Sequence, residues 1–253
     1  MAVTASIRKG FGIARQSMAI VAFLSLFGFV WGFLNIYYAP QIQAQAKTPD
    51  IKISMLMMAA TLIFVVVNVF LQAGTLGYVR DKLKQGKADL SAFVGAGSKY
   101  YLRFFVVGPV IMLIAMAFII VATVAFALLK NPGLIIAIPA ALIGIYFLLL
   151  MFFAPYIIVV HEEKSIASIK KSIGVVKKNL LGVLGVLAIM VAIGFVAGLL
   201  TGLVLGLLNV AAPGLFSQVV TAALSGFLNA FLGVFVAASF MNFYLEISNT
   251  AGA

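Results

Sequence analysis

Few residues in this chain could do chemistry. Its one histidine, His161, stands directly before Glu162 and Glu163, and the acids total six: Asp50, Asp81, Asp89, Glu162, Glu163 and Glu246. A metal centre needs several converging ligands, and one histidine beside two consecutive acids does not supply them. His161-Glu162-Glu163 therefore reads as a polar cluster at a membrane interface. Asp81 and Asp89 sit among cations and are expected to pair with them. Cysteine is absent, which removes disulfides, thiolate metal sites and cysteine nucleophiles. No Walker-type loop, HExxH or GxSxG occurs. The expectation is a non-enzyme with no catalytic residue, cofactor or metal.

The other polar candidates are amides in apolar surroundings. Asn68 and Gln72 are four residues apart and share one helix face. Thr61 and Thr75, each seven from Asn68, lie near that face, and Asn229 could meet them across a helix interface. Such side chains usually link helices, at about 0.6 kcal/mol each. The alternative is a polar path or ligand cavity lined by Asn68, Gln72 and Asn229.

The elements that must position these residues are membrane spans. Hydrophobic residues make up 64% of the 253-residue chain and charged residues 9%. Soluble domains carry about 25% charged residues, so lipid must be the main solvent here. Six runs reach the roughly 20 apolar residues that a span requires: Met18 to Tyr38, Ser54 to Val79, Phe104 to Leu129, Leu134 to Val160, Leu180 to Leu208 and Val219 to Tyr244. No Asp, Glu, Lys, Arg or His lies well inside them. Ion-coupled carriers and voltage sensors keep such groups in the bundle. The expected fold is an all-α polytopic bundle of six transmembrane helices forming one domain. Pro132-Gly133 and Pro213-Gly214 mark tight turns between antiparallel neighbours. Pro109, Pro139 and Pro155 are candidate kinks.

The formal net charge is +11. All cations except Lys47, Lys52 and Lys130 fall in three blocks: Arg8, Lys9 and Arg15; then Arg80, Lys82, Lys84, Lys87, Lys99 and Arg103; then Lys164, Lys170, Lys171, Lys177 and Lys178. Lys and Arg favour the cytoplasmic side. The layout predicts a multi-pass protein of the cytoplasmic membrane with both termini in the cytoplasm. Because the cations flank spans, anionic lipids rather than nucleic acid are the expected partners. A signal peptide ending near Ala44-Gln45-Ala46 competes for the N-terminal pattern, but the apolar run is long for one.

The basic segments, about 5–16, 88–103 and 163–179, read as short amphipathic helices in the cytoplasmic interface. In the last, Ile166, Ile169, Ile173 and Val176 form an apolar stripe, and Lys170, Lys171, Lys177 and Lys178 fall largely away from it. These lysines, with Arg8, Lys9 and Arg15, are the candidate lipid head-group contacts. SIRKGFGIARQSMAIV from Ser6 aligns with SIKKSIGVVKKNLLGV from Ser168. Phe93 to Phe104 is a looser third copy. The chain reads as three units, each a basic segment followed by two spans.

Gly194, Gly198, Gly202 and Gly206 repeat every four residues, and Gly28 and Gly32 form a smaller version. A glycine face lets another helix approach closely. That partner is a helix of the same chain, or a second copy in a homo-oligomer or larger membrane complex.

Two stretches, FLQAGTLGYVRDKLKQGKADLSAFVGAGSKYY and APYIIVVHEEKSIASIKKSIGVVKKNLL, resemble an uncharacterised six-span family of membrane proteins. That family is similar to the membrane domain fused to some glycerophosphodiester phosphodiesterases. Glu163, Ser172, Lys178 and Asn179 occupy the recurring acid, serine, cation and asparagine positions. The resemblance implies a six-helix membrane domain. The soluble phosphodiesterase domain is absent from this sequence, so it implies no hydrolase activity. Together these readings point to a non-enzymatic scaffold, accessory or assembly protein. The alternatives are a transporter or channel component and a lipid-handling module.

Overall fold

The computed structural model describes residues 2–45 and 51–250; Ala46, Lys47 and Asp50 lie outside them. The described residues are helical almost throughout. The helices are α1 (Ala2–Gln16), α2 (Met18–Gln45), α3 (Ile51–Gln85), α4 (Leu90–Leu129), α5 (Leu134–Met151), α6 (Ala154–His161), α7 (Ser165–Lys178), α8 (Leu180–Ala211) and α9 (Leu215–Thr250). A 3-10 turn at Asn131–Gly133 joins α4 to α5. Among the described residues, six segments are long and apolar enough to cross a membrane: five single helices and the stretch Asn131–His161. Each contains one of the six expected spans, and the third extends well before its expected start at Phe104.

The basic segments behave differently from one another. The first and third are separate helices, α1 and α7. The second is continuous with the third span, so α4 runs for 40 residues. At 1.5 Å per residue that is about 60 Å, roughly twice the hydrocarbon thickness. Asp89 accepts from the Ala92 amide at 2.9 Å and from the Ser91 hydroxyl at 2.8 Å, capping α4. The expected pairing of Asp89 with a cation is thus replaced by an N-cap, since the carboxylate satisfies an amide that α4 itself cannot. These bonds hold the Asp89 carboxyl below its ordinary range, the Ala92 amide most of all.

The internal repeat is visible in the backbone. Ser17 donates to Ala14 O at 3.1 Å, and Val21 donates to Ser17 O at 3.0 Å. Asn179 donates to Val176 O at 3.1 Å, and Val183 donates to Asn179 O at 3.0 Å. Each pair is displaced by the spacing that relates Ser6 to Ser168. Those two serines are both fully buried, as are Ala14 and Val176, and Val21 and Val183. A basic helix, a one-residue break and a span recur with the same face turned inward.

The fourth span breaks where the sequence places Pro155. Proline has no N–H, so the α-helical ladder fails, and α5 ends at Met151 while α6 starts at Ala154. Ser172 of α7 repairs the gap. Its hydroxyl donates to Leu150 O at 2.8 Å and accepts from the Phe153 amide at 3.1 Å. Because Ser172 is fully buried, Ser172→Ala leaves both backbone groups without water or partner. The expected loss is about 1–3 kcal/mol, read as a lower thermal midpoint in detergent. An unchanged midpoint would reduce Ser172 to filler.

The core is concentrated at the basic end. Buried apolar residues cluster in Ile13–Val21, Leu71–Val79, Phe93–Val107, Leu150–Val159 and Val234–Ile247. Along α8 they stop at Met190. The outer halves of α4, α5 and α8 expose leucine, isoleucine, valine and phenylalanine, a surface suited to lipid.

Helices approach most closely at small residues. A methyl on Gly28 would lie 3.1 Å from Gly226 Cα, and one on Gly32 would lie 3.0 Å from Ala222 Cβ. The α2–α9 seam is therefore the glycine seam of this bundle. At α1–α9, a methyl on Gly10 would collide with Ser239, and at α3–α4 one on Gly77 would collide with Ala96. The expectation for α8 is corrected within the described chain. A methyl at Gly194, Gly198, Gly202 or Gly206 meets nothing within 4 Å, because α8 beyond Met190 has no helix packed against that face.

Candidate functional site

Two polar regions stand out, one at mid-depth and one at the basic end. The first is an open-sided cavity of about 870 Å³ between α2, α3 and α9, floored by α4, α5 and α6, with Gln72 and Asn229 exposed. Its lining includes Asn68, Gln72 and Asn229, so the three amides are brought together around one space. Gln72 Nε2 donates to Asn68 Oδ1 at 2.7 Å. The Asn229 side chain makes no hydrogen bond among the described residues, and the Ser225 hydroxyl, which also lines the space, likewise makes none. Thr75 is another lining residue, but its hydroxyl is spent on Leu71 O at 2.8 Å. Thr61 is similarly bonded to Met57 O and does not line the cavity.

The wall between α2 and α3 is aromatic. Trp31 stacks on Phe64 with centroids 3.8 Å apart, and Phe27 stacks on Phe64 at 5.3 Å. Tyr156, Met151, Phe104 and Leu76 form a buried floor. Among the described residues, no ionisable side chain except the Tyr156 phenol lines the space. The pairing of α3 with α9 was readable from the amides. Trp31 and the floor were not, because aromatic residues in apolar spans carry no distinguishing spacing.

The second region is the convergence of the three basic blocks. Arg80, at the end of α3, pairs with Asp81 at 2.7 Å and donates to Tyr100 Oη at 2.7 Å and Val159 O at 3.0 Å. Tyr100 donates to Glu162 Oε1 at 3.1 Å, and Lys99 pairs with the same carboxylate. Arg103 donates to Glu162 O at 2.6 Å, and the Ser165 hydroxyl donates to Arg103 O at 3.0 Å. The ring of fully buried Tyr100 lies 5.4–5.8 Å from the Arg80, Lys99 and Arg103 cationic groups. His161 meets Tyr244 Oη at 2.9 Å, and Asn242 donates to Ser6 Oγ at 3.1 Å. This chain of contacts puts α1, the end of α3, the start of α4, α7 and the end of α9 on one face. Asp81 pairs with a cation as expected, and His161, Glu162 and Glu163 contact Tyr244, Lys99 with Tyr100, and Lys171 in turn.

Glu162 has φ 57°, a left-handed conformation that non-glycine residues adopt at a cost. Its side chain and carbonyl are both held in place from α4. Lys99, and next Tyr100, keep its carboxyl below the ordinary carboxylate range. Arg80, Tyr100 and Arg103 were not singled out in the sequence. The positions of Arg80 and Arg103 just outside apolar runs read only as flanking charge, and Tyr100 carried no signal of its own.

The candidate head-group residues stay on the surface. Arg8, Lys9, Arg15, Lys170, Lys171, Lys177 and Lys178 are all exposed. Of these, Lys171 lies 3.5 Å from Glu163.

The fold and its sites define a multi-pass helical membrane protein with one strongly basic face and a cavity at mid-depth. The chain belongs to the DUF7847 family, a domain of unknown function, whose profile matches residues 1–247. No curated protein and no solved structure matches the chain.

Proposed function

We propose that this protein is a non-enzymatic lipid-handling module of the cytoplasmic membrane. The observation that carries the reading is the 870 Å³ cavity with amides at mid-span. Its volume falls within the roughly 300–1,000 Å³ of ligand sites, and it combines an apolar lining with a few placed polar groups, as such sites do. The basic face supports an orientation with both termini in the cytoplasm and contact with anionic head groups there. Native mass spectrometry of protein extracted gently from its own membrane tests the reading. A defined amphiphile retained by the protein is the expected result. Delipidated protein with copurifying polypeptides would favour an accessory role instead.

A scaffold or assembly reading has one observation in its favour: the α8 glycine face has no partner among the described residues, so a second copy or another membrane protein could pack there. The lipid contacts are tested separately. Replacing Lys170, Lys171, Lys177 and Lys178 with glutamine should reduce enrichment of anionic lipid around the protein. Each lysine near an anionic surface contributes about 1 kcal/mol, so even partial contact by four should be resolved by counting copurified lipids. Unchanged enrichment would leave these lysines as topology anchors.

A further inference from the structure

We infer that the mid-depth cavity selects an uncharged amphiphile whose head carries a hydroxyl or carbonyl. This rests on the lipid-handling reading and names the class of occupant.

The lining provides hydrogen-bonding groups but no countercharge. The Asn68–Gln72 pair uses one donor and one acceptor, leaving Gln72 Oε1, the Asn68 amide hydrogens and the whole Asn229 amide without partners among the described residues. Polar groups at membrane depth need partners, and a hydroxyl or carbonyl suits this mixture of donors and acceptors. A charged head would not be matched. The cation nearest along α3 is Arg80, one turn beyond Leu76 of the floor, and it is already committed to Asp81, Tyr100 and Val159 O. The aromatic wall of Phe27, Trp31 and Phe64 suits a chain or flat apolar body beside that head. Gly233 also lines the space, and a side chain there would meet no atom within 4 Å, so it would grow into the cavity.

The chain contains a single tryptophan, and Trp31 is in the cavity wall. Its fluorescence reports occupancy without a label. The experiment places the protein in zwitterionic nanodiscs and titrates 9,10-dibromostearyl alcohol, the corresponding dibromoalkyl sulfate and the dibromoalkyl trimethylammonium, which share a chain and differ in a head that is neutral or permanently charged. The expected result is saturable Trp31 quenching by the alcohol at neutral pH, with the two charged probes weaker by about tenfold or more. Gly233→Phe should remove the saturable component by filling the space, and Asn229→Leu should weaken the alcohol selectively. Saturable quenching by the sulfate or the trimethylammonium probe as strong as that by the alcohol would overturn the neutral-head inference and leave the lipid-handling reading standing. Quenching that rises linearly for all three probes and ignores Gly233→Phe would overturn the cavity reading itself.

Discussion

Gly226→Leu is expected to unfold the α2–α9 pair, while Gly202→Leu is expected to leave stability unchanged. Both are glycine-to-leucine changes within long apolar helices, so intrinsic propensity does not separate them. Their surroundings do. A Cβ on Gly226 would lie 3.0 Å from Phe29 N, 3.1 Å from Ser25 O and 3.3 Å from Gly28 C. These are backbone atoms of α2 and cannot rotate away, so α2 must move as a body. Overpacking a tight core costs about 1–3 kcal/mol when side chains can adjust, and the loss here should reach or exceed the upper figure. A Cβ on Gly202 meets nothing within 4 Å, and the change should stay within about 0.5 kcal/mol. Thermal midpoints in detergent give the comparison, and equal losses at the two sites would refute the α2–α9 seam. The same variants bear on assembly. If a second copy packs on α8, Gly202→Leu should split the oligomer seen by crosslinking and leave the monomer's midpoint intact.

This contrast shows where sequence reasoning stops. The six spans were legible because length and the absence of charge are sufficient conditions for crossing lipid. The repeat was legible from Ser6 and Ser168, and the structure gives both copies the same break. That Asn68, Gln72 and Asn229 line one space was anticipated from helix periodicity, although Asn229 makes no hydrogen bond to the other two. The glycine seam was only half legible. Gly28 and Gly32 share their four-residue spacing with the α8 glycines, and spacing records that a face is smooth, not which helix lies against it. The basic-end network was least legible. Its members come from the end of α3, the start of α4 and the end of α6, and nothing in their local sequence couples them. Ser172 was placed by resemblance alone. Its role at the α5–α6 break depends on where α7 folds back, which Pro155 makes necessary but does not locate.

Arg80→Met is the substitution expected to cost most at the basic end. Methionine keeps the apolar stem and removes the guanidinium. Asp81 then loses its ion pair, Tyr100 loses a donor and Val159 O loses its partner. That carbonyl lies in the last turn of α6, where helix carbonyls lack intrahelical donors and a nearby cation is favourable. The Arg80 and Asp81 side chains are only 16% and 19% exposed, so solvent repairs little. The expected loss is about 2–4 kcal/mol. Glu162→Gln should cost much less, because Lys99 and Glu162 are both half-exposed and exposed pairs contribute little. Acid separates the two contributions further. The folded Glu162 carboxyl is held below its ordinary value of 4.5 by Lys99 and then Tyr100. Its contribution is therefore present above that value and lost as pH falls through the lower folded one. The deficit of Glu162→Gln should vanish in that acid window, whereas the deficit of Arg80→Met should persist through its contacts with Tyr100 and Val159 O. Thermal midpoints of both variants across pH 3–7 provide the check. If the Arg80→Met deficit disappeared together with that of Glu162→Gln, Arg80 would act only through carboxylates and would not hold the end of α6.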